Sequence, residues 1–151
     1  MIENRPSLVE LAPAAELVVV SADGITTVSV TGEIDLGFTD RLSEQFAIEL
    51  DLAPRALIID LTAVGFCSSR GLAALVAADT RAREAGVPCV VAAGQRAVVR
   101  PIRLLGLDQV LSLYPAISDA RQAVAERLAV PGPRTSTTGI DAAEQPGGYW
   151  A

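Results

Sequence analysis

The segment GFCSSRG, residues 65–71, sets two hydroxyls, Ser68 and Ser69, between the thiol of Cys67 and the guanidinium of Arg70. Three chemistries use a serine in such a place. At a helix start its oxygen accepts a hydrogen bond from an orphaned backbone N–H, a cap that contributes about 1 kcal/mol. The same position suits a phosphoryl group. A phosphoserine carries about −1.5 to −2 charges at pH 7, and a helix N-terminus offers free N–H donors and the positive end of the dipole. The third chemistry, nucleophilic catalysis, needs a base beside the serine. The chain has no His, and all twelve of its basic residues are Arg. A Ser-His pair, a Schiff-base lysine, a Walker-type lysine and a histidine metal site are thereby excluded, and the G-x-S-x-G elbow is missing too. The segment reads as part of a binding or phosphate-accepting protein, not of an enzyme.

Other reactive groups are few. Cys67 and Cys89 lie 22 positions apart and form no metal-spaced pair. In a cytosolic protein they are expected as free thiols packed like small hydrophobes. The sharper alternative is a redox role, with oxidation at Cys67 disturbing the adjacent helix start. A direct Cys67–Cys89 bond needs Cα atoms within about 7 Å, a poor prospect when one cysteine follows its strand and the other lies inside the next. Arg96, Arg100 and Arg103 align on one helical face with no neighbouring acid, either as a solvated face or as a contact for an acidic partner. The net charge of −6 argues against nucleic acid as a partner. No apolar run approaches the roughly 18 residues of a membrane span, and MIENRPSLVE, acidic at Glu3 and Glu10, lacks the order of a signal peptide. A cytoplasmic protein without cofactor or metal is expected.

The elements that must position these groups follow from pattern. Half of the 151 residues are hydrophobic and 20% are charged, enough for one domain with a proper core. Strands are predicted at 16–21 and 25–31 around an Asp23-Gly24 turn, with Gly32 and Glu33 ending the second. An amphipathic helix follows over 38–53, capped by Thr39 or Asp40, its stripe being Phe38, Leu42, Phe46 and Leu50, widened by Ala47 and Ile48. RALIIDL, 55–61, reads as a strand buried on both faces. The next helix starts at the paired serines and runs to about Glu84, with Leu72, Leu75, Val76 and Asp79 in one stripe and Arg81, Arg83 and Glu84 facing water. Gly86 stops it and Pro88 leads into the strand at 88–94. A short helix around Pro101, a brief strand over 109–114 and a last helix over 118–129, capped by Ser118, complete the domain. Alternation of strands and helices predicts an α/β fold: a mixed, mostly parallel sheet of four to five strands with about four helices, over residues 8–130. The stretch 131–151 has the composition of a disordered tail, with Tyr149 and Trp150 as random residues or a small docking element.

VTGEID at 30–35 and LIIDLTAVGFCSSRGLAAL at 57–75 together resemble the STAS domain of anti-sigma factor antagonists. Gly32, Glu33 and Asp35 fall on the first motif, and Asp60, Leu61, Val64, Phe66, Gly71 and Leu72 on the second, in register, with the likeness running over about 14–129. The resemblance implies a domain that binds an anti-sigma factor, usually a serine kinase of the histidine-kinase-like ATPase type, and so frees a sigma factor. It implies that the kinase phosphorylates the serine at the start of the second helix, which breaks the complex, and that a phosphatase restores it. That serine corresponds to Ser69, with Ser68 the second choice, and Gly32, Glu33, Asp35, Ser68, Ser69 and Arg70 are the implied partner contacts. Ser68 stands where the family has Asp, and Arg70 where it has a small residue. Two further readings remain at this point. One is a constitutive or redox-responsive interaction module in which both serines only cap a helix. The other is a nucleotide- or anion-binding domain, which lacks a glycine-rich cradle and any Lys.

Overall fold

In the computed structural model, which describes residues 15–129, Asp23 and Gly24 adopt φ of 56° and 80°. This is the left-handed backbone of a tight hairpin. It joins β1 (Ala15–Ala22) to β2 (Ile25–Ile34) in an antiparallel pair. Helix α1 (Leu36–Asp51), β3 (Ala56–Cys67), α2 (Ser69–Glu84), β4 (Cys89–Ala92), α3 (Arg96–Leu104), a 3₁₀ turn at Leu107–Gln109, β5 (Leu113–Tyr114) and α4 (Ile117–Ala129) follow. The sheet order is β1-β2-β3-β4-β5, with every pair after the first parallel. The expected mixed, mostly parallel α/β sheet is therefore present. Residues 8–14, Val130 and the expected tail with Tyr149 and Trp150 lie outside the described residues.

β3 is buried on both faces, as its apolar run requires. Leu57, Ile59 and Leu61 face a core shared with Phe38, Leu42, Phe46 and Leu50 of α1 and Leu72, Leu75, Ala78 and Ala82 of α2. Ala56 and Ile58 face Ala120 and Val124 of α4 on the other side. The α1 stripe differs from expectation at its margin. Ile48 is 49% exposed, whereas Glu49 is buried and accepts a 2.7 Å hydrogen bond from Gln45. In α2, Asp79 is buried, with its pKa raised by desolvation, and it pairs with Arg83 at 2.9 Å. Arg83 is half-buried rather than turned to water, because it also donates to the Val110 carbonyl. Ser118 lies within the first turn of α4 and does not precede it; the Ala120 amide bonds the Ala116 carbonyl instead.

The largest difference from the sequence reading is that β2 and β3 both run further than their apolar patterns. β2 continues through Gly32 and Glu33 to Ile34, and β3 through TAVGF to Cys67. Two register shifts make this possible. β3 spends an extra residue between the Ser29↔Asp60 and Thr31↔Ala63 pairs, and another between Gly32↔Val64 and Glu33↔Phe66. At the first, the Asp60 carboxylate accepts from the Thr62 amide at 3.0 Å and the Thr62 hydroxyl at 2.7 Å, serving groups the bulge leaves out of the ladder. At the second, Gly32 takes φ of 96°, a conformation open mainly to glycine.

β4 ends at Ala92, opposite Asp60, so the extension of β3 has a strand partner on one side only. Gln95 serves the other side. Its side-chain amide donates to the Leu61 and Val64 carbonyls at 2.7 and 2.6 Å, and its oxygen accepts from the Gly94 amide. Gln95→Ala is expected to lower the free energy of unfolding by about 1–3 kcal/mol, the cost of leaving such groups unpaired. Urea denaturation measures this, and a loss within the roughly 0.5 kcal/mol of a neutral surface change would contradict the role.

Candidate functional site

The extended strands end level with each other, Ile34 beside Cys67. The next residue of each chain segment is a helix cap. Asp35 caps α1, its carboxylate accepting from the Phe38 amide at 3.2 Å. Thr39, an expected cap, is instead a buried residue of α1 whose hydroxyl donates to the Asp35 carbonyl, and Asp40 lies inside the same helix. Ser68 caps α2 with φ of −69° and ψ of 164°, its hydroxyl oxygen accepting from the Gly71 amide at 3.1 Å. The Ser68 amide donates to the Ile34 carbonyl at 2.8 Å, which ties the two caps to one sheet end. Gly32, Glu33, Asp35, Ser68, Ser69 and Arg70 are thus gathered there, although Gly32 and Glu33 belong to β2 and not to a loop.

The two serines have different environments. Ser68 is half-buried and its oxygen is committed to the cap. Ser69 is the first residue of α2 and exposed, and among the described residues no hydrogen bond engages its hydroxyl. As first-turn residues, Ser69 and Arg70 have amides without an intrahelical acceptor, and the positive end of the helix dipole lies at the same point. The Arg70 guanidinium is 3.7 Å from the Asp40 carboxylate, with both side chains largely exposed.

Close packing under the site fixes its shape. A Cβ at Gly71 would come within 2.8 Å of both the Cys67 sulfur and an Ile34 methyl, so only glycine lets the first turn of α2 sit on the ends of β2 and β3. Cys67 is buried, and burial pushes its thiol up to about 11. Cys89 is buried as well, with its thiol raised by desolvation and then by the Asp79 charge. Both are protonated at neutral pH and poorly placed to react. Cys89 pairs with Leu57, ten positions from Cys67 along β3, or about 30 Å at the strand rise, far beyond disulfide reach. Among the described residues no cluster suits a metal ion, and no helix is long and apolar enough to cross a membrane.

Two apolar residues add to the site that the sequence reading did not select. Phe66, which pairs with Glu33, is 47% exposed, and Leu36, the first residue of α1, is 59% exposed. Phe66 had a signal in the sequence as a motif position, without being selected as a contact, and Leu36 had only its place directly after Asp35. α4 crosses β3 at Ala56 and Ile58, the other end of the strand, and leaves Phe66 uncovered. The result is a surface with apolar anchors, acidic neighbours at Glu33 and Asp35, and a free hydroxyl. Such composition suits protein binding.

Comparison with known proteins agrees with this geometry. Residues 16–120 match the STAS domain profile. The anti-sigma-F factor antagonist RsfB of Mycobacterium tuberculosis is 38% identical over 98 residues, which span 65% of this chain and 80% of that protein. The crystal structure of an anti-sigma factor antagonist from Mycobacterium paratuberculosis superposes with a TM-score of 0.70 at 38% identity, covering 76% of this chain and 97% of its own. The anti-sigma factor antagonist SpoIIAA in its unphosphorylated form shares the fold at 12% identity, with a TM-score of 0.64 over 74% of this chain and 97% of that one.

The unequal roles of the serines are measurable. Ser68→Ala is expected to cost about 1 kcal/mol of stability through loss of the cap, whereas Ser69→Ala should stay within about 0.5 kcal/mol. Parallel denaturation of the two variants checks this, and an equal or reversed ranking would contradict the assignment.

Proposed function

The chain belongs to the STAS-domain family, and from that membership we propose that it acts as an anti-sigma factor antagonist whose binding surface is switched at Ser69. In this reading the sheet end carrying Asp35, Leu36, Phe66 and the start of α2 docks on an anti-sigma factor, and the complex frees a sigma factor for transcription. The anti-sigma factor is a serine kinase of the histidine-kinase-like ATPase type, and a phosphatase resets the switch. The protein works in the cytoplasm as a regulatory binding partner and kinase substrate, with no catalysis of its own.

One observation carries the reading: Ser68 spends its hydroxyl on the Gly71 amide, while the Ser69 hydroxyl is exposed and unengaged one residue later. Phosphorylation at Ser69 leaves the cap of α2 intact and meets the free amides of the first turn. The domain therefore stays folded while its surface gains negative charge near Phe66. A partner that packed against a neutral hydroxyl must then bury about −1.5 to −2 charges or leave. Arg70 is shared between Asp40 and the phosphate, which moderates the switch without removing it. Buried, protonated and widely separated thiols give the redox alternative no support.

The test is the affinity of the anti-sigma factor for wild type, Ser69→Ala and Ser69→Glu by titration calorimetry. Ser69→Ala is expected to bind as wild type does. Ser69→Glu should bind about a hundredfold more weakly, equivalent to about 2.7 kcal/mol. Wild-type affinity for Ser69→Glu would defeat the switch while leaving the binding function in place.

A further inference from the structure

Helix α3 contains no acidic residue, and its arginines, Arg96, Arg100 and Arg103, follow each other at steps of four and three on one exposed face. Among the described residues no ion pair or hydrogen bond engages any of the three. Most other described arginines are engaged: Arg81 pairs with Asp51, Arg83 with Asp79 and Arg70 with Asp40, Arg55 donates to the Asp23 carbonyl, Arg127 donates to the Ser112 hydroxyl, and Arg41 lies over the Phe38 ring, whereas Arg121 stands exposed on α4. The α3 arrangement works against its own helix. Arg96 stands at the first residue, facing the positive end of the dipole. Arg96 with Arg100, and Arg100 with Arg103, are like-charge neighbours on the helix surface. A chain of net charge −6 thus keeps a repulsive cationic cluster with which no described carboxylate pairs at contact distance, the acid in the lining of the adjoining groove being Asp108, alongside Arg103.

The cluster borders a groove. A cavity of about 350 Å³ is lined by Gly94, Val99, Leu104 and the three arginines. A second, of about 430 Å³, shares Gly94, Val99 and Arg103 with it and reaches Tyr114 and Pro115 at the end of β5. At the far end of α3, Leu104 and Leu105 are 72% and 61% exposed. The cations and the exposed Leu104 therefore lie along one continuous surface, which shares no residue with the Ser69 site.

We propose that this groove is a second docking surface, made for an acidic protein segment that carries aliphatic side chains. Its carboxylates pair with Arg96, Arg100 and Arg103, which make no ion pair within the described fold, and its aliphatic side chains cover Leu104. Charge complementarity to the three arginines suits an acidic peptide, and the chain's net charge of −6 disfavours nucleic acid, a much larger polyanion. Occupation is independent of the phosphorylation state of Ser69, because the two surfaces have no residue in common.

The probe is a random 12-residue peptide library displayed on phage and selected against the full chain. Enriched peptides are expected to be rich in Asp and Glu with Leu or Ile. By fluorescence anisotropy their affinity should fall about tenfold or more in Arg100→Glu/Arg103→Glu, as expected for reversing two contacting charges. It should hold in Ser69→Glu, and in Arg121→Glu, which changes the net charge on a different helix. Arg96→Gln should weaken the peptide and leave the thermal midpoint unchanged or raised, since it relieves repulsion. Peptides without acidic excess, nucleic acid competing them off, equal binding to Arg100→Glu/Arg103→Glu, equal loss in Arg121→Glu, or a lowered midpoint in Arg96→Gln would each overturn the proposal. If the double charge reversal fails to fold, Arg100→Gln/Arg103→Gln replaces it with the same expected direction.

Discussion

The hydrogen bond from the Ser68 amide to the Ile34 carbonyl, at 2.8 Å, closes the last rung between β2 and β3, and the functional end of the molecule is arranged around it. Because the strands stop level, the residues after them, Asp35 and Ser68, cap two helices side by side. The helices then pack side by side over the same sheet face, with Arg81 paired to Asp51, and bury their stripes against β3. Gly71 completes the arrangement, since any larger residue would meet Cys67 and Ile34 before the first turn of α2 could settle. Two bulges, the Asp60–Thr62 bonds and the Gln95 clamp hold β3 in step long enough for the rung to form.

This geometry separates two hydroxyls that are adjacent in sequence. A cap must keep its oxygen on a backbone amide, so Ser68 is a structural residue at the edge of the functional surface. The following residue enters the helix with its side chain directed outward, so Ser69 is available to a partner or a kinase. A charge added there does not compete with the bond that starts α2. In the proposed switch, the charged group and the scaffold rest on different atoms one residue apart, so that the surface changes while the fold persists.

Much of this was legible in the sequence. Asp23-Gly24 announces the hairpin, RALIIDL the doubly buried strand, and Ser68-Ser69 the start of α2, because each is set by local chemistry. The extension of both strands was not legible. TAVGF and Gly32-Glu33 break the alternation that marks a strand, and only pairing across two bulges keeps them in the sheet. Gln95 was missed for the same reason: its partners, the Leu61 and Val64 carbonyls, are more than thirty residues away. The cap of α1 is Asp35 and not Thr39 or Asp40 because β2 runs to Ile34 and passes into the helix without a loop. Glu49 replaced Ile48 in the core margin since Gln45 satisfies its carboxylate locally, which hydrophobicity alone does not reveal.

The central claim is that Ser69, not Ser68, is the working hydroxyl. The measurement that tests this is to incubate the full chain with candidate anti-sigma kinases and ATP, then locate the phosphate by fragmentation mass spectrometry. A single phosphate on Ser69 is expected, present at the same level in Ser68→Ala and absent from Ser69→Ala. Phosphate on Ser68, or on neither serine, would contradict it.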